Sequence, residues 1–184
     1  MQPQTIGFLG AGKMATALAK GIVRAGLVRP SRIIASDIFP GARKAFAKEI
    51  GAKVTASNTE MFKKANVIIL AVKPHQAEEV FASVRDVVAR QHLMISIVAG
   101  LKTTAPVFSE VFGPKPTFRF IRVMPNTPAL VGEGAAAFCL GLNARAADGK
   151  LAAKILGGVG MAVEVPERLL DAVTGLSGSG PAYV

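Results

Sequence analysis

The sequence predicts an α/β protein with a doubly wound, mostly parallel sheet, and three observations support that prediction. Short apolar runs alternate with helical segments as far as residue 165. One run, residues 66–72, is almost continuously apolar, as expected for a parallel strand that is buried on both faces. The first run ends in a glycine-rich turn that opens a helix. Strands that alternate with helices in this way form a parallel sheet with right-handed crossovers.

The first strand and helix are predicted from the glycine-rich turn itself. Gly10-x-Gly12-x-x-Ala15 follows an apolar run, and apolar residues recur at every fourth position over 14–22, which indicates one apolar helical face. This spacing fits the dinucleotide fingerprint of a Rossmann-type sheet. Gly10 permits the tight turn, Gly12 leaves room for a pyrophosphate, and Ala15 lets the helix pack closely on the strand. The turn therefore predicts a dinucleotide site.

The remaining elements follow from the same alternation of apolar periods. Asn58 is predicted to cap a short helix, because asparagine is a favoured residue at a helix start. The predicted strands span residues 32–37, 51–55, 66–72, 92–98, 117–123, 134–140 and 161–165. The predicted helices span residues 41–50, 76–90, 103–112 and 146–156.

Ligands of such sheets lie at the carboxyl ends of the strands, and four predicted strand ends carry informative residues. These are the glycine-rich turn, the end of the second strand, and the segments 71–74 and 99–100. The predicted cofactor-binding residues are Leu9, Gly10, Ala11, Gly12, Lys13, Met14, Ser36, Asp37, Asn58, Ala71, Val72, Lys73, Pro74, Ala99 and Gly100.

Asp37 lies 22 residues after the last position of the fingerprint, close to the spacing of an acid that binds a ribose 2′-hydroxyl. Its carboxylate should repel a 2′-phosphate, so NADH is expected to be accepted well. A preference for NADH is opposed by nearby polar and basic residues that could reach the 2′-phosphate of NADPH, namely Ser36, Asn58, Arg43 and Lys44. NADPH is therefore expected to remain usable.

Composition narrows the classes of partner. The net charge is +10, but the basic residues are scattered and few aromatic residues accompany them, so a solvated basic surface is favoured over nucleic-acid binding. Apolar runs are too short to span a membrane. The single cysteine, Cys139, excludes an internal disulfide framework and suits the cytoplasm, with the mitochondrial matrix as an alternative. His75 and His92 lie 17 residues apart, so no metal site is expected, and His75 is interpreted as a loop residue.

Two later segments carry polar residues whose role stays open. Asn126 and Thr127 lie in a proline-flanked turn; they are the only catalytic candidates, and a purely structural turn explains them equally well. Residues 177–181 are predicted to start a helix, with Ser179 or the glycine after it as the cap and a proline in the first turn.

Five motifs along the chain resemble the pyrroline-5-carboxylate reductase family. They are FLGAGKM at 8–14, AVKPH at 71–75, SIVAG at 96–100, RVMPNTP at 122–128 and TGLSGSGPAYV at 174–184. The last two are far more specific than the glycine-rich turn. The resemblance implies reduction of 1-pyrroline-5-carboxylate to L-proline, with hydride transfer from NADH or NADPH to the ring C=N bond.

The resemblance also implies that a long helical domain follows, which forms the dimer and much of the imine site. Residues 1–165 are accordingly assigned to a dinucleotide-binding domain, and residues 166–184 to a connector and the first turn of the helical domain. Glu167, Ser177 and Ser179 are implied to lie on the substrate side; a solvated acid and plain helix capping are the alternatives. The complete protein is expected to be a homo-oligomer, and this chain alone to be poorly active. Other Rossmann dehydrogenases of the hydroxyacid or prephenate type, and a non-catalytic dinucleotide-binding fragment, remain the rival interpretations.

Overall fold

The computed structural model of the chain describes residues 4–180, apart from the side chain of Ser179. Its strands are β1 Ile6–Leu9, β2 Ile33–Ser36, β3 Lys53–Thr55, β4 Val67–Leu70, β5 Leu93–Ser96, β6 Arg119–Met124, β7 Gly134–Leu140 and β8 Gly160–Glu164. Its α-helices are α1 Lys13–Arg24, α2 Pro40–Ile50, α3 Asn58–Lys64, α4 Ala77–Val84, α5 Pro106–Phe112, α6 Ala146–Gly157 and α7 Leu170–Val173. Short 3-10 turns lie at Pro30–Arg32, Pro74–Gln76, Thr127–Val131 and Glu167–Leu169, and a π-helical turn spans Thr174–Ser179.

The eight strands form one sheet in the order β3-β2-β1-β4-β5-β6-β7-β8. The first six are parallel, and β7 and β8 run together in the opposite direction. The chain leaves β1 on one side to build β2 and β3, then returns to build β4 on the other side. This reversal between β1 and β4 is the topological switch point at which doubly wound sheets bind ligands. The predicted doubly wound, mostly parallel sheet is confirmed.

The core consists of two apolar layers, one on each face of the sheet. Ile6 and Phe8 of β1 face a layer that includes α1, α2 and α6, whereas Leu9 faces the layer of α3, α4 and α5. This alternation follows from the two-residue period of a strand. Gly7 also faces α3, where an added Cβ would lie 2.1 Å from the Met61 sulfur. Close packing on both faces fixes the end of β1, and with it the glycine-rich turn.

Two predicted helix boundaries were wrong, because local hydrogen bonds divert the backbone. The helix predicted over 76–90 ends at Val84, and the Ala89 N–H donates to His92 Nδ1 at 2.9 Å as the chain turns toward β5. The helix predicted over 103–112 begins at Pro106, because the N–H and the hydroxyl of Thr103 both donate hydrogen bonds to the Glu167 carboxylate.

The predicted helix cap at Asn58 was also wrong. Ser57 is the N-cap, and its hydroxyl accepts the Glu60 N–H at 3.1 Å. Asn58 is the first residue inside α3, so its side chain is free to bind elsewhere. The other predicted elements lie within two residues of the observed ends.

The helix start predicted at 177–181 was wrong as well. The helix begins at Leu170 and continues through the π-helical turn, within which the Ser177 hydroxyl donates to the Val173 carbonyl at 3.1 Å. The proline of that prediction, at position 181, lies outside the described residues. None of the helices in the described part of the chain is both long and apolar enough to cross a membrane.

Candidate functional site

Gly10 makes the turn after β1 possible. Its φ of +94° is a conformation that other residues rarely adopt, and an added Cβ would lie 2.6 Å from the Ala71 carbonyl oxygen. The Gly10 N–H donates to the Ser36 carbonyl at 2.8 Å, which ties the turn to the end of β2. The glycine is therefore required by the close approach of β1, β2 and β4.

Gly12 differs from Gly10, because an added Cβ would meet no atom within 4 Å. It is the N-cap of α1, no side chain caps this helix, and its first turn holds no acidic residue. The first N–H groups of a helix have no acceptor within it and carry the positive end of its dipole. An open, donor-rich surface at this point fits a pyrophosphate.

Asp37 closes one side of this surface. Its Oδ2 accepts the Ala11 N–H at 2.8 Å, and its Oδ1 accepts the Phe39 N–H at 2.9 Å. The Arg43 guanidinium donates to the carbonyls of Asp37 and Ile38, at 2.6 and 3.2 Å. A carboxylate and a guanidinium therefore lie side by side where the ribose of a dinucleotide is expected.

Ser36 and Asn58 form a second layer behind that carboxylate. Ser36 is fully buried, and its hydroxyl donates to Asn58 Oδ1 at 2.8 Å. The Asn58 amide donates in turn to Ser83 Oγ at 3.0 Å. Because Ser36 is buried, it can act on a ligand only by positioning Asn58, which is itself partly exposed.

The segments after β4 and β5 complete the edge of the sheet next to the glycine-rich turn. The Ala71 N–H donates to the Leu9 carbonyl at 2.8 Å, and the Lys73 N–H is bound by Gln76 Oε1 at 3.0 Å. Ala99 and Gly100 are exposed beyond β5. The turn, Asp37 and these two segments are thus brought to one edge by parallel strands. His75 is exposed in the 3-10 turn after β4, as predicted for a loop residue.

Asn126 and Thr127 lie after β6, on the same edge of the sheet. Asn126 Oδ1 accepts the Ala135 N–H at 2.8 Å and its carbonyl accepts the Ala129 N–H at 3.2 Å, so this side chain shapes the turn into β7. Thr127 is exposed at the start of the following 3-10 turn, which packs against α1. A structural role thus explains the position of the Asn126 side-chain oxygen. The Thr127 side chain is exposed and available to a ligand.

Glu167 belongs to an ion-pair cluster that fastens the connector to the sheet. The Thr103 N–H donates to Glu167 Oε1 at 2.7 Å, and the Thr103 hydroxyl donates to Oε2 at 2.5 Å. Arg122, whose side chain is 5% exposed, donates to Glu167 Oε1 at 3.3 Å and to Asp171 Oδ1 at 2.8 Å. Lys102 lies 3.9 Å from the other Asp171 oxygen. Glu167 is therefore a paired, partly buried acid, and the alternative of a solvated acid was wrong.

The cluster sets the ionisation of its members. Burial opposes ionisation of the Glu167 carboxyl, but the hydrogen bonds from Thr103 and the Arg122 guanidinium outweigh it and hold the pKa of Glu167 below its usual value. Hydrogen bonding to Arg122 likewise lowers the pKa of Asp171. Beside them, burial raises the pKa of the Cys139 thiol to about 11, so this cysteine stays a neutral, unreactive thiol.

The connector then runs toward the edge of the sheet that carries the glycine-rich turn. Leu170 packs on Ala137 and Cys139, and a Cβ at Gly178 would lie 2.6 Å from the terminal methyl of Met124, the last residue of β6. Ser177 therefore comes close to the segment that holds Asn126. The side chain of Ser179 lies outside the described residues.

Sequence reasoning missed the members of this cluster other than Glu167. Arg122 offered a signal, because a charged residue within an otherwise apolar strand needs a buried partner. Thr103, Lys102 and Asp171 offered none, since nothing in their local sequence indicates that they meet across the fold.

The sequence and the fold of this chain are similar to those of known proteins. The profile of the family described as NADP oxidoreductase, coenzyme F420-dependent, matches residues 5–100. The pyrroline-5-carboxylate reductase of Methanosarcina acetivorans is 41% identical over 184 residues, which are 100% of this chain and 67% of that protein.

Solved structures give the same picture. A pyrroline-5-carboxylate reductase from Coxiella burnetii superimposes with a TM-score of 0.89 at 31% identity, covering 99% of this chain and 66% of that one. The pyrroline carboxylate reductase of Plasmodium falciparum, with NADP bound, superimposes with a TM-score of 0.84 at 32% identity. The match covers 100% of this chain and 65% of that one. The chain thus spans about two thirds of the length of these relatives. It belongs to the pyrroline-5-carboxylate reductase family.

Proposed function

We propose that the complete protein reduces 1-pyrroline-5-carboxylate to L-proline with NADH or NADPH, and that this chain contributes the dinucleotide site. The observation that supports this most is the open surface at Gly12, which heads α1 beside Asp37 at the switch point of the sheet. Relatives that share this chain over its whole length carry the name of that activity, and one of them holds NADP.

The proposed division of labour follows from the positions of the residues. The N–H groups at the start of α1 bind the pyrophosphate, Asp37 and Arg43 face the adenosine ribose, and the segments after β4 and β5 pass along the nicotinamide half. The bound nicotinamide supplies a hydride to the imine carbon. A protonated C=N bond is already electrophilic, so the protein mainly has to align two planar rings. Thr127 and Ser177 are the proposed residues on the substrate side, and Glu167, which Arg122 and Thr103 hold against the sheet, is proposed with them.

Residues 1–165 form the dinucleotide-binding domain in this proposal, and the connector leads into a helical domain that completes the imine site. The complete protein is proposed to be a homo-oligomer, without nucleic-acid or membrane partners. The one cysteine of this 184-residue chain is buried, and it suits the cytoplasm or the mitochondrial matrix.

The isolated 184-residue chain is expected to bind dinucleotide with modest affinity and to form almost no proline. The reason is the third of the relatives' length that this chain does not span, which is proposed to hold the imine against the nicotinamide. Calorimetric titration with NADPH and NADH measures the binding, and a proline-formation assay with the Methanosarcina acetivorans relative as positive control measures turnover. Absence of binding would contradict the proposed dinucleotide site, and robust turnover would contradict the proposed need for a further segment in the imine site.

The reaction itself is tested with a chimera of this chain and the remaining third of the Methanosarcina acetivorans relative. We expect NADPH-dependent proline formation that Gly12→Val eliminates. A folded chimera that binds NADPH but forms no proline would favour the non-catalytic interpretation or another dehydrogenase chemistry.

Asp37→Ser is expected to shift the ratio of dissociation constants toward NADPH, and Arg43→Ala toward NADH. Two like charges a few ångströms apart at a partly wet surface cost on the order of 1–4 kcal/mol, which corresponds to about a tenfold or larger change. Dissociation constants for both cofactors, measured at one ionic strength, give the ratio.

Asp37→Asn is the matched control for this measurement. The asparagine oxygen can still accept the Ala11 N–H that Asp37 binds at 2.8 Å, so the contact with the glycine-rich turn is kept, while the charge and the bond from the Phe39 N–H are removed. Both substitutions of Asp37 should therefore shift the ratio in the same direction. A ratio that neither substitution changes would mean that the carboxylate does not face the ribose.

A further inference from the structure

A basic cavity of about 670 Å³ lies at the edge of the sheet opposite the glycine-rich turn. Its wall includes Arg119 at the start of β6, Arg90 ahead of β5 and Arg145 ahead of α6. Lys115 and Thr117 come from the loop that leads into β6. Ligand pockets commonly enclose roughly 300–1,000 Å³, so the cavity is large enough for a small metabolite.

Three of its four cations are not neutralised. Arg119 is paired with the buried Asp148 at 2.5 Å, and its Nη2 donates to the Gln91 carbonyl at 2.9 Å. Arg90, Lys115 and Arg145 have no carboxylate within ion-pair distance in residues 4–180. Like charges gathered in one concave wall create a positive potential that attracts an anion.

The wall is fixed by hydrogen bonds that hold its two loops together. Asn143 Nδ2 donates to the Pro116 carbonyl at 2.8 Å and to the Phe118 carbonyl at 3.0 Å. The loop after β7 is thereby fastened to the loop before β6. With Arg119 anchored as well, the exposed cations project from a framework that needs little reorganisation to bind a ligand.

We propose that this cavity binds a small anion that carries two phosphate groups. Guanidinium groups bind phosphate oxygens through paired N–H donors, and an ammonium adds a point charge. Three uncompensated cations match the charge of a diphosphate better than that of a single phosphate. Nucleic acid fits less well, because no aromatic side chain lines the described wall on which a base could stack. The proposal is independent of the dinucleotide site.

Calorimetric titration with inorganic pyrophosphate tests the proposal, at an ionic strength of about 0.1 M where exposed charges still act. The test variant is Arg90→Gln/Arg145→Gln. The matched control is Arg29→Gln/Lys154→Gln, which removes the same charge from two exposed residues that do not line the cavity. Both carry exposed substitutions only, and circular dichroism verifies that both are folded.

The cavity variant is expected to bind pyrophosphate about tenfold more weakly or worse, since two charge-assisted contacts are lost. The control should stay within about twofold of wild type, and orthophosphate should bind about tenfold more weakly than pyrophosphate. Equal losses in the two variants would reveal diffuse attraction by net charge and overturn the site.

Two further measurements separate this cavity from other anion sites. The glycine-rich turn also offers donors to a pyrophosphate, so the titrations are repeated in the Gly12→Val background, in which that turn is blocked. Binding should persist in this background and should still weaken about tenfold with Arg90→Gln/Arg145→Gln; loss of all binding in this background would place pyrophosphate on the glycine-rich turn and overturn the proposal. A single-stranded oligonucleotide should bind more weakly than pyrophosphate. Tighter binding of the oligonucleotide that depends on Arg90 and Arg145 would make this face a nucleic-acid surface instead.

Discussion

Gly12→Val is expected to weaken dinucleotide binding by about 100-fold or more, a free-energy change of about 2.8 kcal/mol, and to leave the fold intact. The backbone of Gly12 has φ −77° and ψ −175°, an extended conformation that valine favours. An added Cβ meets nothing within 4 Å, so the folded chain has no clash to relieve. The branched side chain instead occupies the surface where the pyrophosphate must approach the N–H groups of α1.

Calorimetric titration with NADPH gives the affinity, and thermal unfolding monitors the fold. Gly157→Val is the matched control, because this glycine of α6 also has open space around a new Cβ and lies away from the site. Gly10→Val should instead destabilise the protein, since φ is +94° and the Ala71 carbonyl blocks the Cβ. An affinity of Gly12→Val within a few-fold of wild type would show that the dinucleotide binds elsewhere.

The parts of the site that sequence predicts are those fixed by local backbone chemistry. Gly10 has to be glycine because the turn after β1 is only a few residues long. The change from an apolar strand to an amphipathic helix is visible in the spacing of the apolar residues on either side of this turn. The direction of β7 was also within reach of the sequence. Parallel neighbours need a crossover of about a dozen residues or more, whereas β6 ends at Met124 and β7 begins at Gly134.

Contacts between distant segments set the limit of that prediction. Ser36 reads as a ligand-facing residue at a strand end, but its full burial beneath Asn58 depends on how α3 packs. The start of α5 depends on Glu167, which lies 64 residues after Thr103 in the sequence. Glu167 accepts the Thr103 N–H, and α5 begins only after Thr103. No local pattern encodes such a partner, and the structure alone supplies it.

Arg122→Met is expected to lower the free energy of unfolding by about 3 kcal/mol at pH 7, because it leaves the partly buried Glu167 carboxylate without its cation. Methionine fills a similar volume, so little packing is lost. Asp171, at 62% side-chain exposure, is solvated by water in either case. Urea unfolding measures the loss, and Arg168→Met, an exposed neighbour in the 3-10 turn, should change stability by less than about 0.5 kcal/mol.

The pH dependence separates charge from packing in this prediction. The pKa of Glu167 is lowered in the folded protein, so its pairing stabilises the fold above the carboxyl's usual pKa, and that contribution is lost as the pH falls through the lowered value. The gap between wild type and Arg122→Met should therefore narrow from pH 7 to about pH 3. Arg122→Met/Glu167→Gln should recover most of the loss at pH 7, since the amide oxygen still accepts the Thr103 N–H. If the gap is constant with pH and the double variant is no more stable than Arg122→Met, then Arg122 stabilises the connector through packing rather than through its charge.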